Sequence, residues 1–209
     1  MMHPPRHRLR DYANGASEIT TRLLVEAHLA LCPTCPQLVR ERCDPQARLP
    51  EATISDEIGL PSFHRVWAAV EQSEAKRRMP EASVVPVAVL AALPDPAGWH
   101  WRSPWPSRVK FTLLTRDIDT NSALYLSYYA PRSRFPRHRH LGLEESVILA
   151  GGYQNGDVHV EAGDWVTGAP GTEHTPETGP DEDCWCLSRI EPPGLDFFGW
   201  RGWLQRCRR

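Results

Sequence analysis

Apolar residues recur with a helical period over roughly the first seventy-five positions and alternate with a strand period beyond about Val109. Ser17 is a good N-cap, and Ile19, Leu23, Leu24, Ala27 and Leu31 mark one face of a helix ending near Cys32. Pro33 suits the first turn of a following helix through Leu38 and Val39. From Pro61, the positions Phe63, Val66, Trp67 and Val70 fall at i, i+3, i+4 and i+7 before the charged run Glu71 to Arg78, which predicts a second amphipathic helix.

Pro80, Pro86, Pro94 and Pro96 then break both helix and central strand, so an extended connector that docks locally is expected from about Arg77 to Trp99. Beyond it, strands are expected at Phe111 to Thr115, Ala123 to Tyr129, Ser146 to Leu149, Val158 to Glu161 and Trp185 to Ile190. Turn signals stand at Gly151-Gly152, Asn155-Gly156, Gly163-Asp164 and Pro170-Gly171. Short strands at this spacing imply a sandwich or barrel. The expected class is therefore α+β with two domains: a small all-α helical unit over 1–78, a linker over 79–98, a β-barrel over 99–195 and a tail over 196–209.

The charge changes the picture by exclusion. With 209 residues and a net charge of -2, the chain does not suit a protein that works by neutralising phosphates, so no direct nucleic-acid partner is expected. Met1 to Tyr12 is rich in Arg, His and Pro, and the longest apolar run, Val84 to Leu93, is interrupted by Pro86 and too short for a bilayer. A soluble cytoplasmic protein is expected, with its six cysteines reduced.

Two groups of residues carry metal-ligand chemistry. His28 and Cys32 are four apart and share a helix face, and Cys35 follows one turn later, so a metal there would pin the corner between two helices. The fourth ligand would come from the N-terminal arm, where His3 and His7 both qualify on chemistry. The second group is His138 and His140, two apart and hence on one side of a strand, with Glu144 just after and His174 on a later strand. Glu145 is the neighbouring alternative to Glu144; a strand puts the two on opposite faces, so only one can ligate. Zinc suits both groups, and iron, manganese or nickel also suit the second.

Other chemistry-bearing residues have plainer readings. Arg132 to Arg139 holds arginines expected to form a solvated rim, and His159 alternates with Val158 and Val160 as an exposed strand residue. His64 and His100 have no ligand spacing, and Cys43 and Cys207 have no partner by spacing. Cys184 and Cys186 lie on one face of a strand, too awkwardly spaced for a relaxed disulfide, and are expected to be buried thiols beside a packed Trp185; the sharper alternative is that they lie close enough to the barrel metal for oxidation to disturb it. The aromatic tail from Phe197 to Trp203 is expected to pack back on the barrel, the alternative being an exposed protein-binding patch.

The run of His3, Leu9, Tyr12, Gly15 and Leu24 to Cys35 resembles the zinc-binding anti-sigma domain, in which a distant N-terminal histidine completes a His-x-x-x-Cys-x-x-Cys site. The spacing to Leu9, Tyr12 and Gly15 fits His3 better than His7 in that role. The segment His138-x-His140-x-x-x-Glu144, then Gly151, then Pro170-Gly171-x-x-His174, resembles the cupin pattern. It departs from that pattern where six residues instead of five separate Gly163 from Pro170, and where Thr178 stands at the position of a frequent asparagine. The metal set survives that departure, and the case for a cupin enzyme weakens. The two parts together resemble ChrR-type anti-sigma factors.

That resemblance implies a regulator and not an enzyme: a helical domain that binds and inhibits a sigma factor of the extracytoplasmic-function group, and a cupin that senses singlet oxygen or an organic peroxide and releases it. Two zinc ions are implied, on His3, His28, Cys32 and Cys35 and on His138, His140, Glu144 and His174. The rival expectation is a metal-dependent cupin dioxygenase using the second set.

Overall fold

The computed structural model describes residues 1–42, 84–93, 95–103 and 108–198. The expected helix at Phe63 to Val70, positions 79–83 and 94 of the expected linker, His64, Cys43, Cys207 and the tail beyond Phe198 lie outside the described residues.

Three helices open the chain: α1 (Arg6–Ala13), α2 (Ile19–Leu31) and α3 (Cys35–Arg42). Helix α1 had no expectation behind it. It forms over a polar run whose one fully packed side chain is Leu9, and it is held by packing on α2 and α3. The expected cap at Ser17 shifts by one residue to Glu18, and the Ser17 hydroxyl is buried without a partner. The reason is tertiary. Asp117, in the barrel, accepts the Ile19 N–H at 3.3 Å, taking the role that a local cap would have had.

The rest is β-structure. Strands β1 (Val109–Arg116), β2 (Ala123–Tyr129), β8 (Cys184–Ile190), β4 (Glu144–Asn155) and β5 (Val158–Glu161) lie side by side in that order, with β6 (Trp165–Gly168) also paired to β4. A small sheet orders β7 (Glu173–His174), β3 (His138–His140) and β9 (Leu195–Phe197). All pairings within these sheets are antiparallel.

Strand β4 is longer than its hydrophobic pattern implies, because the expected turn at Gly151-Gly152 is a kink inside the strand. The register slips between Ile148 and Ala150, and Gly151 takes φ +64 with Asp183 O 1.9 Å from where a Cβ would sit. Only glycine fits that close approach of β4 to β8. The turn at Asn155-Gly156 forms as expected, between β4 and β5.

Side-chain alternation divides the sheet into two faces. One face, with Val109, Tyr129, Ile148, Tyr153, Val160, Cys184 and Cys186, fills the barrel interior. The other, with Leu114, Leu124, Leu126, Val147, Trp165, Trp185 and Leu187, packs on Leu9, Leu23, Leu24, Val25 and Ala27 of the helices. The helical unit and the barrel therefore share one continuous core. The described part of the expected connector joins it: Val85 and Val89 are buried there, and the short helix α4 (Val87–Leu90) docks on α2.

Charged groups sit within that contact. Arg189 is 2% exposed, and Glu145, opposite it in the register, 1%. Arg189 pairs with Glu18 at the head of α2, with Glu191 at 2.9 Å and with Glu145 at 3.3 Å. Glu145 in turn takes both arms of the Arg8 guanidinium, at 3.0 and 2.8 Å. Burial alone would raise the Glu18 carboxyl, but the hydroxyls of Thr120, Ser122 and Thr20 and the Arg189 guanidinium together bring it down to about 2.

Candidate metal centres

Helix α2 ends at its C-cap Cys32, and α3 begins at Cys35, so the loop between them returns the second sulfur to the first. His28, one turn before Cys32, points its Nε2 at Cys35 Sγ, 3.4 Å away. His3 comes in from the arm ahead of α1, with Nδ1 3.5 Å from Cys32 Sγ and 3.3 Å from Cys35 Sγ. Tetrahedral zinc with bonds of about 2.0 to 2.3 Å separates its ligands by roughly 3.3 to 3.8 Å, so these spacings fit a zinc ion among the four. His7 does not join the group.

The electrostatics suit the same use. Burial lowers His28 to about 4, so its imidazole is neutral and has a lone pair to give. Burial would raise Cys32, but the Thr34 hydroxyl and the backbone N–H groups of Cys35 and Thr34 bring it down to about 7. Cys35, pushed up to about 11 by burial and by its neighbour Cys32, needs a cation to ionise.

In the barrel, β3 turns His138 and His140 to the same side, and the β3–β7 register sets His174 opposite His138. Glu144 opens β4 facing the same space, while Glu145 faces the helices, as the choice between adjacent strand positions required. The four donor atoms lie within 4.8 Å of one another. His140 Nε2 is 3.0 Å from Glu144 Oε2, and the Nε2 atoms of His138 and His174 are 2.9 Å apart.

Each imidazole is anchored through its other nitrogen. His138 Nδ1 meets the Pro136 carbonyl, His140 Nδ1 the Thr172 hydroxyl and His174 Nδ1 the Asn155 side-chain oxygen, each at 2.9 Å. The Pro136 and Asn155 oxygens only accept, so His138 and His174 carry their protons on Nδ1 and turn bare Nε2 lone pairs toward each other. A cation between them resolves that repulsion, and the outer partners hold the rings as metal-ligating histidines require. Burial lowers His138, and burial with the neighbouring His138 lowers His174 to about 4. Burial would raise Glu144, yet the His140 hydrogen bond and the three imidazoles outweigh it and keep the carboxyl below its usual range.

The cluster opens into a cavity of about 520 Å³ with walls from Phe111, Tyr125, Phe135, Val166 and Phe197. Cys186 also lines it; its thiol is pushed up to about 12 by burial and is therefore protonated at neutral pH. Cys184 and Cys186 are both buried free thiols, as expected, and Trp185 faces the helices. His159 is half-exposed beside Glu182, and Arg137 and Arg139 pair with Glu173 at the surface. Phe197 packs on Phe135 and His138, but Phe198 is 39% exposed under Arg137 and Arg139. Thr178 acts in the framework, accepting the Ser133 N–H and donating to the Ala130 carbonyl.

Sequence reasoning missed the outer partners Pro136, Asn155 and Thr172, and the buried Arg189. The arginine had a signal: it shares strand parity with Trp185 and Leu187, a lone charge on an apolar face. Among the described residues no helix is long and apolar enough to cross a membrane.

Comparison with known proteins adds the following. Residues 91–192 match the family of the ChrR cupin-like domain. The structure is similar to a chain of the complex between Rhodobacter sphaeroides SigE and the anti-sigma ChrR, with 24% identity, a TM-score of 0.64, and coverage of 91% of this chain and 99% of that one. Over about half of its length it is similar to an RmlC-like cupin protein from Ralstonia eutropha (19% identity, TM-score 0.45, 54% of this chain and 81% of that one). A similar match is acetylacetone dioxygenase from Acinetobacter johnsonii (18% identity, TM-score 0.44, 52% and 77%). No curated protein matches the chain. Residues 91–192 thus match the ChrR cupin-like domain, and the fold, a helical unit with a His/Cys ligand cluster followed by a β-barrel, is similar to that of the chain in that complex.

Proposed function

We propose that this protein is an anti-sigma factor: its helical unit binds a sigma factor of the extracytoplasmic-function group and keeps it from RNA polymerase, and its cupin receives the signal that ends the inhibition. The observation that carries this reading is the presence of two ligand clusters of different chemistry in one chain, a thiolate-rich one on helices and a three-histidine, one-carboxylate one inside a ChrR cupin-like barrel. An isolated cupin enzyme has no use for the first. The likeness to the anti-sigma ChrR over most of both chains supports the same reading.

His3, His28, Cys32 and Cys35 would hold zinc as a structural staple, and His138, His140, Glu144 and His174 a second zinc. A metal in the barrel would supply a Lewis-acidic centre whose ligands an oxidant can attack. Cys186, on the cavity wall, is placed to share such damage, although its protonated thiol is a slow nucleophile. Singlet oxygen or an organic peroxide is the signal class proposed, and the cytoplasm the compartment.

The test is co-elution of the full chain with its candidate sigma factor, with zinc measured in the same fractions. A one-to-one complex that is lost when Cys32 and Cys35 become serine supports the reading. Absence of any complex with the zinc-loaded chain refutes it. The 520 Å³ cavity above the barrel cluster favours one second reading, a metal-dependent cupin oxygenase; oxygen consumption by the metal-loaded chain with small carbonyl substrates would move it to the front.

A further inference from the structure

His3 is an exposed ligand candidate on an arm without regular structure, so something else has to hold it in place. Two contacts flank it, and both are made by the barrel. On the N-terminal side, the Met2 N–H donates to Asp164 Oδ1 at 2.6 Å and the Trp165 N–H donates to the Met2 carbonyl at 3.0 Å. On the other side, Arg8 in the first turn of α1 makes its two hydrogen bonds to Glu145.

Both anchors lead to β4. Glu145 belongs to that strand, next to Glu144 of the barrel cluster. Asp164 lies in the turn between β5 and β6, which is tied to β4 at Ile148 by two backbone bonds: Gly163 N–H to Ile148 O at 2.8 Å and Ile148 N–H to Asp164 O at 3.1 Å. The first residue of β6, just after that turn, meets His28: the Trp165 and His28 rings lie edge-on at 6.0 Å. Asp164 is 4% exposed and its second oxygen accepts the Glu161 N–H at 2.9 Å, so the carboxylate is fixed before the arm reaches it.

We propose that Asp164 and Glu145 are positioning residues of the N-terminal metal centre, holding the arm on both sides of His3, so that one strand of the barrel supports a ligand in each of the two centres. A metal site whose ligand is seated by another part of the fold loses metal faster when that seat is removed. The seat also gives β4 a direct mechanical connection between the two clusters: a shift of β4 at Glu144 displaces Glu145 and the Ile148 anchor together. The proposal rests on the N-terminal cluster holding a metal.

The test uses the full chain loaded with Co²⁺, because a thiolate-to-cobalt absorption band reports the Cys32 and Cys35 site and not the nitrogen and oxygen donors of the barrel. EDTA is added and the decay of the band is timed. The double variant Arg8→Met/Asp164→Asn is expected to lose the band about ten to a hundred times faster than the parent. In a His3→Ala background the same pair should change the rate by no more than about twofold, since no His3 remains to be positioned.

Decay at the parental rate in the double variant overturns the proposal. So does an equal acceleration in the His3→Ala background, which marks general loosening and no action through His3. Each single variant is timed as well; Arg8→Met alters only the helix side of the contact and leaves the Glu145–Arg189 pair intact, so a folding failure of the pair does not end the test. A parent protein with no thiolate band overturns the metal reading of this cluster and the seat with it.

Discussion

Gly168 in β6 lies opposite Glu144 and directly over His140. A Cβ built there would stand 2.5 Å from both Cε1 and Nε2 of the imidazole and 2.9 Å from Cδ2, and no positive φ strains an alanine at this position. Carbon atoms settle at about 3.5 to 4.0 Å, so Gly168→Ala has to displace the ring or β6 by about 1 Å. The ring has little room to give: His140 is 2% exposed and held by the Thr172 hydroxyl.

Overpacking of this kind costs about 1 to 3 kcal/mol of the metal-free fold. Its effect on the metal should be larger in relative terms, because ligand distances tolerate only about 0.2 Å. Zinc affinity of the barrel site is expected to fall by about a hundredfold, equivalent to about 2.7 kcal/mol. Titration of the metal-free chain against a chromophoric chelator measures this, with the thiolate site followed separately by its ultraviolet absorption. A Gly168→Ala protein that binds barrel zinc with parental affinity would refute the argument that this glycine is needed for ligand clearance.

Three further outcomes are expected. Arg189→Met should lower stability by about 3 to 5 kcal/mol in urea unfolding, because it leaves Glu18, Glu145 and Glu191 facing an uncharged side chain in a buried contact; a loss under about 1 kcal/mol would contradict the role given to the pair. Leu24→Ala, at a fully buried position of the shared core, should cost about 2 to 5 kcal/mol and shift helical circular dichroism and barrel tryptophan fluorescence together; two separate transitions would show that helices and barrel do not share one core. Glu18 has a folded-state pKa of about 2 against an ordinary 4.5, so its contribution is fully present above about pH 4.5 and is lost as pH falls toward 2; allowing for its partial exposure that contribution is about 2 kcal/mol, and Glu18→Gln should flatten the stability curve across that window alone.

The two ligand clusters were legible in the sequence because their chemistry is local. His28, Cys32 and Cys35 follow helix periodicity and a single turn, and His138 and His140 follow strand alternation, so spacing alone brings most donors to one side. Strands β2 and β5 matched their hydrophobic patterns residue for residue, for the same reason. Periodicity alone left Glu144 against Glu145 and His3 against His7 open; the family resemblance favoured Glu144 and His3, and the direction in which β4 faces and the path of the N-terminal arm bring those two residues to the clusters.

Only the tertiary structure decided how the parts meet. Helix α1 carries a weak local signal and forms against α2 and α3. The head of α2 is capped by Asp117, almost a hundred residues away, and the turn expected at Gly151 became a kink because β8 passes too close for a side chain. The Arg8, Glu145, Arg189 and Glu18 network joins four distant segments, and no pattern in the sequence pairs them. Sequence by itself picked out the residues of metal-ligand type that the fold gathers into two clusters, since that depends on ligand type and on periods of 2 and 3.6. The fold decided what holds those ligands in place, since burial, close approach and charge pairing arise only when segments far apart in the chain are brought together.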